Sequence, residues 1–218
     1  MKDLFNEVTD LLGEFNEQYL LEFKQNVLGS LARWIESGKP VPPPDLYKHQ
    51  TIKSYGERFH LNTLIETGTY FGGTVWSVRN HFSRIISIEL GQDLYERAKK
   101  MFESLEHVSI IKGDSSKVLP IVLDFINKPC LFWLDGHYSA GVTACGDIQT
   151  PIIQEIEAIF AHPVKQHVIL IDDARLFLGK DDYPQLDEFV QHIKSIRTDL
   201  NVEVIDDIIR ITPDKGMQ

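Results

Sequence analysis

From Asn62 onward, short apolar runs alternate with segments of helical periodicity, and no other feature narrows the possible folds as far. Strands are expected at 63–67 (TLIET), 85–89 (IISIE), 107–112 (HVSIIK), 130–135 (CLFWLD) and 167–172 (HVILID), with helices near 73–82, 92–105, 116–127, 151–161 and 185–197. The runs are almost unbroken Ile, Val, Leu and Phe, as in strands covered on both faces. Their repetition with helices builds right-handed β–α–β units in one parallel sheet. The tail departs from this pattern. NVEVI and IIRIT flank Asp206-Asp207, an acceptable hairpin turn, so the sheet should close with an antiparallel strand. The expected fold is a three-layer α/β domain whose seven-stranded sheet is mostly parallel with an antiparallel last strand.

Ahead of this domain, apolar side chains recur in steps of three and four from Leu4 to Ile35, the stripe of one long helix or of a pair broken near Gly13 or Gly29. The run ESGKPVPPPD at 36–45 stops the helix, because proline lacks an amide donor and disfavours helix in its predecessor. Residues 1–45 are therefore expected as a helical extension and connector, and 46–218 as the main domain. Phe5, Phe15, Phe23 and Trp34 make the stripe large enough to predict a homodimer contact that also narrows the substrate crevice. The formal charge of −10 has the wrong sign for binding nucleic acid through its phosphates. Two cysteines, no continuously apolar window of spanning length and an acidic start, MKDLFNEVTD, point to a cytoplasmic protein without a membrane partner.

The chemistry gathers at strand ends. The first strand runs into Glu66-Thr67-Gly68-Thr69-Tyr70-Phe71-Gly72-Gly73-Thr74, where glycines permit a tight turn and close approach of a ligand. The spacing Gly68-x-x-x-Gly72 is not that of the dinucleotide or P-loop motifs, which disfavours diphosphate cofactors. Glu89 ends the second strand, where an acid can hold ribose hydroxyls. After the third strand, Asp114 could accept from an adenine amino group, or Ser115 could cap the next helix. Asp135 ends the fourth strand and Asp172-Asp173 the fifth. Three carboxylates above one sheet edge need positive charge between them, which a hard divalent ion such as Mg²⁺ would supply; capping by Asp172 or Asp173, with Arg175 as neutraliser, is the alternative. His137, two residues after Asp135, is a candidate base at neutral pH. His49, His60, His81, His107, His162, His167 and His192 read as surface or strand-edge residues, and Cys130 as core.

In order, these motifs resemble those of the class I S-adenosylmethionine-dependent methyltransferases over about residues 62–212, and within them the metal-dependent O-methyltransferases of catechol, caffeoyl-CoA and antibiotic-sugar type. ETGTYFGGT resembles the first motif, ISIEL the second, GDSS the adenine-side motif, LFWLDGHYS the fourth-strand motif and LIDDAR the metal pair. The resemblance implies the Rossmann-like methyltransferase fold and S-adenosylmethionine held by Glu66, Thr67, Gly68, Tyr70, Gly72, Thr74, Glu89, Asp114, Ser115 and Asp135. It also implies a divalent ion on Asp135, Asp172 and Asp173, catalysis by His137 and Asp135, and a small-molecule hydroxyl, on a sugar or phenol, as acceptor. The family's catechol-type members carry a lysine after the fourth-strand Asp, where this chain has His137 and Tyr138. A non-catalytic or hydroxylase-like member of the fold, acting as a binding module, is the competing reading.

Overall fold

The computed structural model describes residues 29–136 and 150–214. Seven strands form one sheet: β1 (Thr63–Thr67), β2 (Arg84–Glu89), β3 (Val108–Lys112), β4 (Leu131–Leu134), β5 (Val168–Ile171), β6 (Leu200–Ile205) and β7 (Ile208–Pro213), in the order β3-β2-β1-β4-β5-β7-β6. The expected fold class holds. All pairings from β3 to β5 are parallel, and β7 runs antiparallel to both of its neighbours. The β6–β7 turn is Asp206-Asp207, both at positive φ (50° and 66°), a conformation that Asp tolerates better than bulky residues do.

Alternation along each strand sends apolar side chains to both faces, which is why the runs look unbroken in sequence. On β4, Leu131 and Trp133 face a cluster with Ile52, Val75, Val78, Phe82, Ala98 and Phe102, while Phe132 and Leu134 face one with Leu119, Val122, Ile156, Ile159, Phe189 and Ile193. The first layer holds helices Asp45–Arg58, Gly73–Val78 and Gln92–Met101, and the second holds Ser115–Leu123, Ile152–Ala161 and Leu186–Ile196.

The Asp45–Arg58 helix was not legible as one. It buries Thr51, Ile52, Lys53, Tyr55 and Gly56, a set too polar to make an apolar stripe. Gly56 is required there, since a Cβ would lie 2.8 Å from the Phe82 ring. Residues 29–36 are helical, and Trp34 is buried against Tyr47 with ring centroids 4.8 Å apart and its Nε1 donating to Pro40 O. The rest of the expected stripe, Leu4 to Val27, lies outside the described residues.

Two histidines correct the sequence reading. His162 and His167 are buried, not on the surface, because each satisfies the other. The Cys130 amide donates to His167 Nδ1 at 3.0 Å, which leaves the His167 proton on Nε2 to donate to His162 Nδ1, also at 3.0 Å. Burial, with His162 adding to it, holds His167 at about 4. Cys130 is core as expected, and burial pushes its thiol up to about 12.

Candidate active site

The parallel strands all deliver their C-terminal ends to one edge, and the strand order reverses between β1 and β4, where ligands of open α/β sheets bind. The turn after β1 lies in this crevice. Gly68 has φ 86°, and a Cβ there would lie 2.4 Å from Asp135 O, so no side chain fits; its amide donates to Ile88 O. Gly72, φ 79°, precedes the Gly73–Val78 helix, with the Phe102 ring 2.9 Å from where a Cβ would be. Tyr70 and Phe71 stay exposed at the rim, rings 4.2 Å apart, with the Arg97 guanidinium 4.6 Å over Phe71.

Glu89 accepts from Tyr70 N at 2.8 Å and from Gly91 N at 2.7 Å, one to each carboxylate oxygen. It therefore ties the glycine turn to the end of β2, and each oxygen retains a lone pair. Glu66 is buried beneath the turn, accepting from Ser87 Oγ and bonded to Thr74. Burial, with Asp135 and Glu89 adding to it, pushes its carboxyl up to about 8. Thr67 is fully buried at the end of β1, and its carbonyl accepts from the Asp135 amide. Asp114, not Ser115, caps the helix after β3: Oδ1 accepts from Ser116 N at 3.0 Å and Ser116 Oγ at 2.6 Å, and Lys117 pairs with Oδ2. Burial works to raise Asp114, but these partners hold it below its ordinary value. Ser115 is buried beside it.

On the other side of Asp135, the acids meet cations of the chain itself. Lys48 donates to Asp172 Oδ2 at 2.5 Å and lies 3.7 Å from Asp173 Oδ1. Asp172 Oδ1 accepts from Asp173 N. Asp173, at φ 57°, pairs with Arg175 at 2.6 Å, and Arg175 pairs also with Asp207 of the hairpin turn. Burial works to lower Lys48, and the three acids Asp172, Asp173 and Asp135 overcome it, so the ammonium stays charged. Burial, Asp135 and Asp173 together push Asp172 up to about 7 against the pull of Lys48.

The expected divalent ion is not shown at this edge. Asp135, Asp172 and Asp173 come to adjacent strand ends, but among the described residues no three acids, histidines or cysteines are placed to share an ion, and Asp172 and Asp173 pair with Lys48 and Arg175. Sequence reasoning missed Lys48 because it lies on the unforeseen helix, 124 residues from its partner. His137 lies outside the described residues, directly after Gly136, whose Cα is 3.2 Å from the Cβ position of Gly68. Glu155, also unforeseen, is buried below this point; a Cβ on Gly136 would lie 3.4 Å from its Oε1 and 3.1 Å from Thr67 Oγ1. Burial pushes Glu155 up to about 7.

No protein-family model and no curated protein matches the chain. Solved structures match it by fold. The SAH-bound methyltransferase PaMTH1 of Podospora anserina aligns with a TM-score of 0.58 at 16% identity, over 92% of this chain and 97% of that one. The O-methyltransferase from Bacillus cereus in complex with SAH gives 0.59 at 13% identity, over 95% of each chain. TomG of Streptomyces achromogenes, an O-methyltransferase of tomaymycin synthesis in complex with SAM, gives 0.59 at 15% identity, over 87% and 89%. The chain has the fold of the S-adenosylmethionine-dependent methyltransferases.

Proposed function

We propose that this protein transfers the methyl group of S-adenosylmethionine to a hydroxyl of a small molecule, a sugar or a phenol. The observation that carries the reading is the crevice at the β1–β4 reversal, where the turn Gly68–Gly72, opened and closed by glycines, is bonded to Glu89 at the end of β2 and lies beside Asp135 at the end of β4. The turn gives a ligand access to backbone, and Glu89 offers its remaining lone pairs to ribose hydroxyls. Asp114 at the end of β3 is the adenine-side acid. Glu66, Thr67 and Ser115 shape the floor from below, and Thr74, bonded to Glu66, belongs with them. Tyr70 is free to cover the bound donor from the rim.

The crevice is acidic, with Glu89, Asp114, Asp135, Asp172 and Asp173 along its edge, which suits a donor carrying a sulfonium and an ammonium. Transfer is an in-line displacement at the sulfonium carbon, so the chain must orient the donor, take the acceptor proton and exclude water. His137, two positions after Asp135, is the proposed base, and Asp135 the proposed group that orients donor and acceptor. Asp172 and Asp173, two of the acids that would hold a divalent ion, are paired with Lys48 and Arg175. The hydroxyl acceptor is supported by the motif resemblance and by the O-methyltransferases among the structures of like fold.

Residues 1–45 are proposed as an extension that borders the acceptor side of domain 46–218 and contributes to a homodimer. None of the helices among the described residues is long and apolar enough to cross a membrane. Incubation with methyl-labelled S-adenosylmethionine and a panel of sugars, phenols and amines tests the reaction. Label in a hydroxyl acceptor, lost in His137→Ala, is the expected result; label only in amines, or transfer indifferent to His137, contradicts it.

A further inference from the structure

The helix Ser115–Leu123 is apolar on every side from its second turn onward. Val118 to Leu123 include no polar side chain, and a helix apolar all round is one that is covered all round. Its inner side is covered: Leu119, Val122 and Leu123 are buried in the core below the sheet. Its outer side is open, with Ile121 60% exposed and Phe125, just past the helix end, 73% exposed. Between this side and the sheet lies a groove of about 280 Å³ lined by Ile86, Ile111, Val118, Ile121 and Phe125. The strand that contributes Ile111, β3, is the outermost of the sheet and pairs with β2 alone. The lining holds one charged side chain, Arg84, which is exposed and forms no ion pair among the described residues.

A cover for this groove needs an apolar stripe and acids beside it. Residues 1–28 have that composition: apolar side chains recur in steps of three and four from Leu4 to Val27, and six acids stand against Lys2 and Lys24. We propose that residues 4–27 of a second copy of this chain occupy the groove, each copy of a two-fold pair covering the other. The place where the segment joins the described chain is what assigns it to a second copy. Trp34 is anchored on Tyr47 and Lys39 on Asp206, at the β7 end of the sheet and on the face of the Asp45–Arg58 helix. The groove lies at the β3 end, on the opposite face. Five strand spacings, about 24 Å, separate the two ends, and a segment returning to its own groove would also have to round the sheet. The proposal rests on the homodimer proposed above, not on methyl transfer, and adds the surface on which the pair closes.

The test uses the full chain with p-benzoylphenylalanine in place of Phe125, irradiated and then run on a denaturing gel. A cross-link between copies doubles the mass of 25.0 kDa and one within a copy leaves it unchanged; mass spectrometry locates the residues joined. The expected product is the doubled species, linked from position 125 to residues 4–27. Light scattering should give a dimer for the wild type, and Phe125→Glu should raise its dissociation constant at least about tenfold. Arg84→Glu should weaken it in the same direction, by less at high salt. Cross-links to residues 4–27 within one copy overturn the assignment to a second copy. A dimer without cross-links from position 125 to residues 4–27, or a folded Phe125→Glu as tightly paired as wild type, overturns the groove and leaves the homodimer standing. A wild type of 25.0 kDa at micromolar concentration overturns both. If Phe125→Glu does not fold, the cross-link decides alone.

Discussion

Replacing Glu66 by Gln should remove a pH dependence that the folded protein otherwise carries. Glu66 is 1% exposed and held at about 8 by burial, against 4.5 for an ordinary glutamate. Between those values the folded state keeps a proton that the unfolded state releases, so the folded state binds more protons and stability falls as pH rises. Below pH 7, Glu155 and Asp172, both held at about 7, contribute in the same direction. From pH 7 to 8 Glu66 is the largest contributor, and the wild type should lose about 1 kcal/mol across that unit on its account. Glutamine keeps the shape and the acceptor for Ser87 Oγ but cannot titrate. Urea unfolding at closely spaced pH values should show the wild-type midpoint falling across this window and that of Glu66→Gln falling clearly less, by what Glu155 and Asp172 alone contribute. Parallel curves for the two proteins would show that Glu66 is ionised in the fold and would refute the reasoning.

Two further outcomes follow from the same geometry. Gly68→Ala places a Cβ 2.4 Å from Asp135 O at φ 86°, so it should destabilise the fold by several kcal/mol and abolish SAH binding; calorimetry and thermal melting check both. His167 is held at about 4 against 6.5, so stability that is complete above pH 6.5 is lost as pH falls toward 4, by up to about 3 kcal/mol. Unfolding of His167→Asn over that range should show a weaker acid dependence than wild type, and equal dependence would contradict the buried neutral pair.

The strands were readable because a sheet buried on both faces needs apolar residues at every position, as in Leu131-Phe132-Trp133-Leu134. That the glycine turn and the strand-end acids share one edge was readable because successive parallel strands deliver their ends there whatever the loops do. What escaped was set by long-range pairing. Lys48 lies on a helix whose buried residues include Thr51, Lys53 and Gly56, so no stripe announces it, and its partner lies beyond five strands. Asp206 and Asp207 signal a turn, yet each also binds a distant cation, Lys39 and Arg175 respectively, which locks the hairpin to the N-terminal segment and to the end of β5. His162 and His167 look like polar surface residues until their mutual hydrogen bond is seen.

Calorimetric titration of S-adenosylmethionine into the wild type and Glu89→Ala, without added divalent ion, tests the central claim most directly. The account predicts one site per chain in the wild type. In Glu89→Ala it should be weakened by about 2–3 kcal/mol, roughly thirty- to a hundred-and-fifty-fold, because the ribose and the Tyr70 amide lose the same carboxylate. No binding to the wild type, or equal affinity in the two proteins, would contradict it.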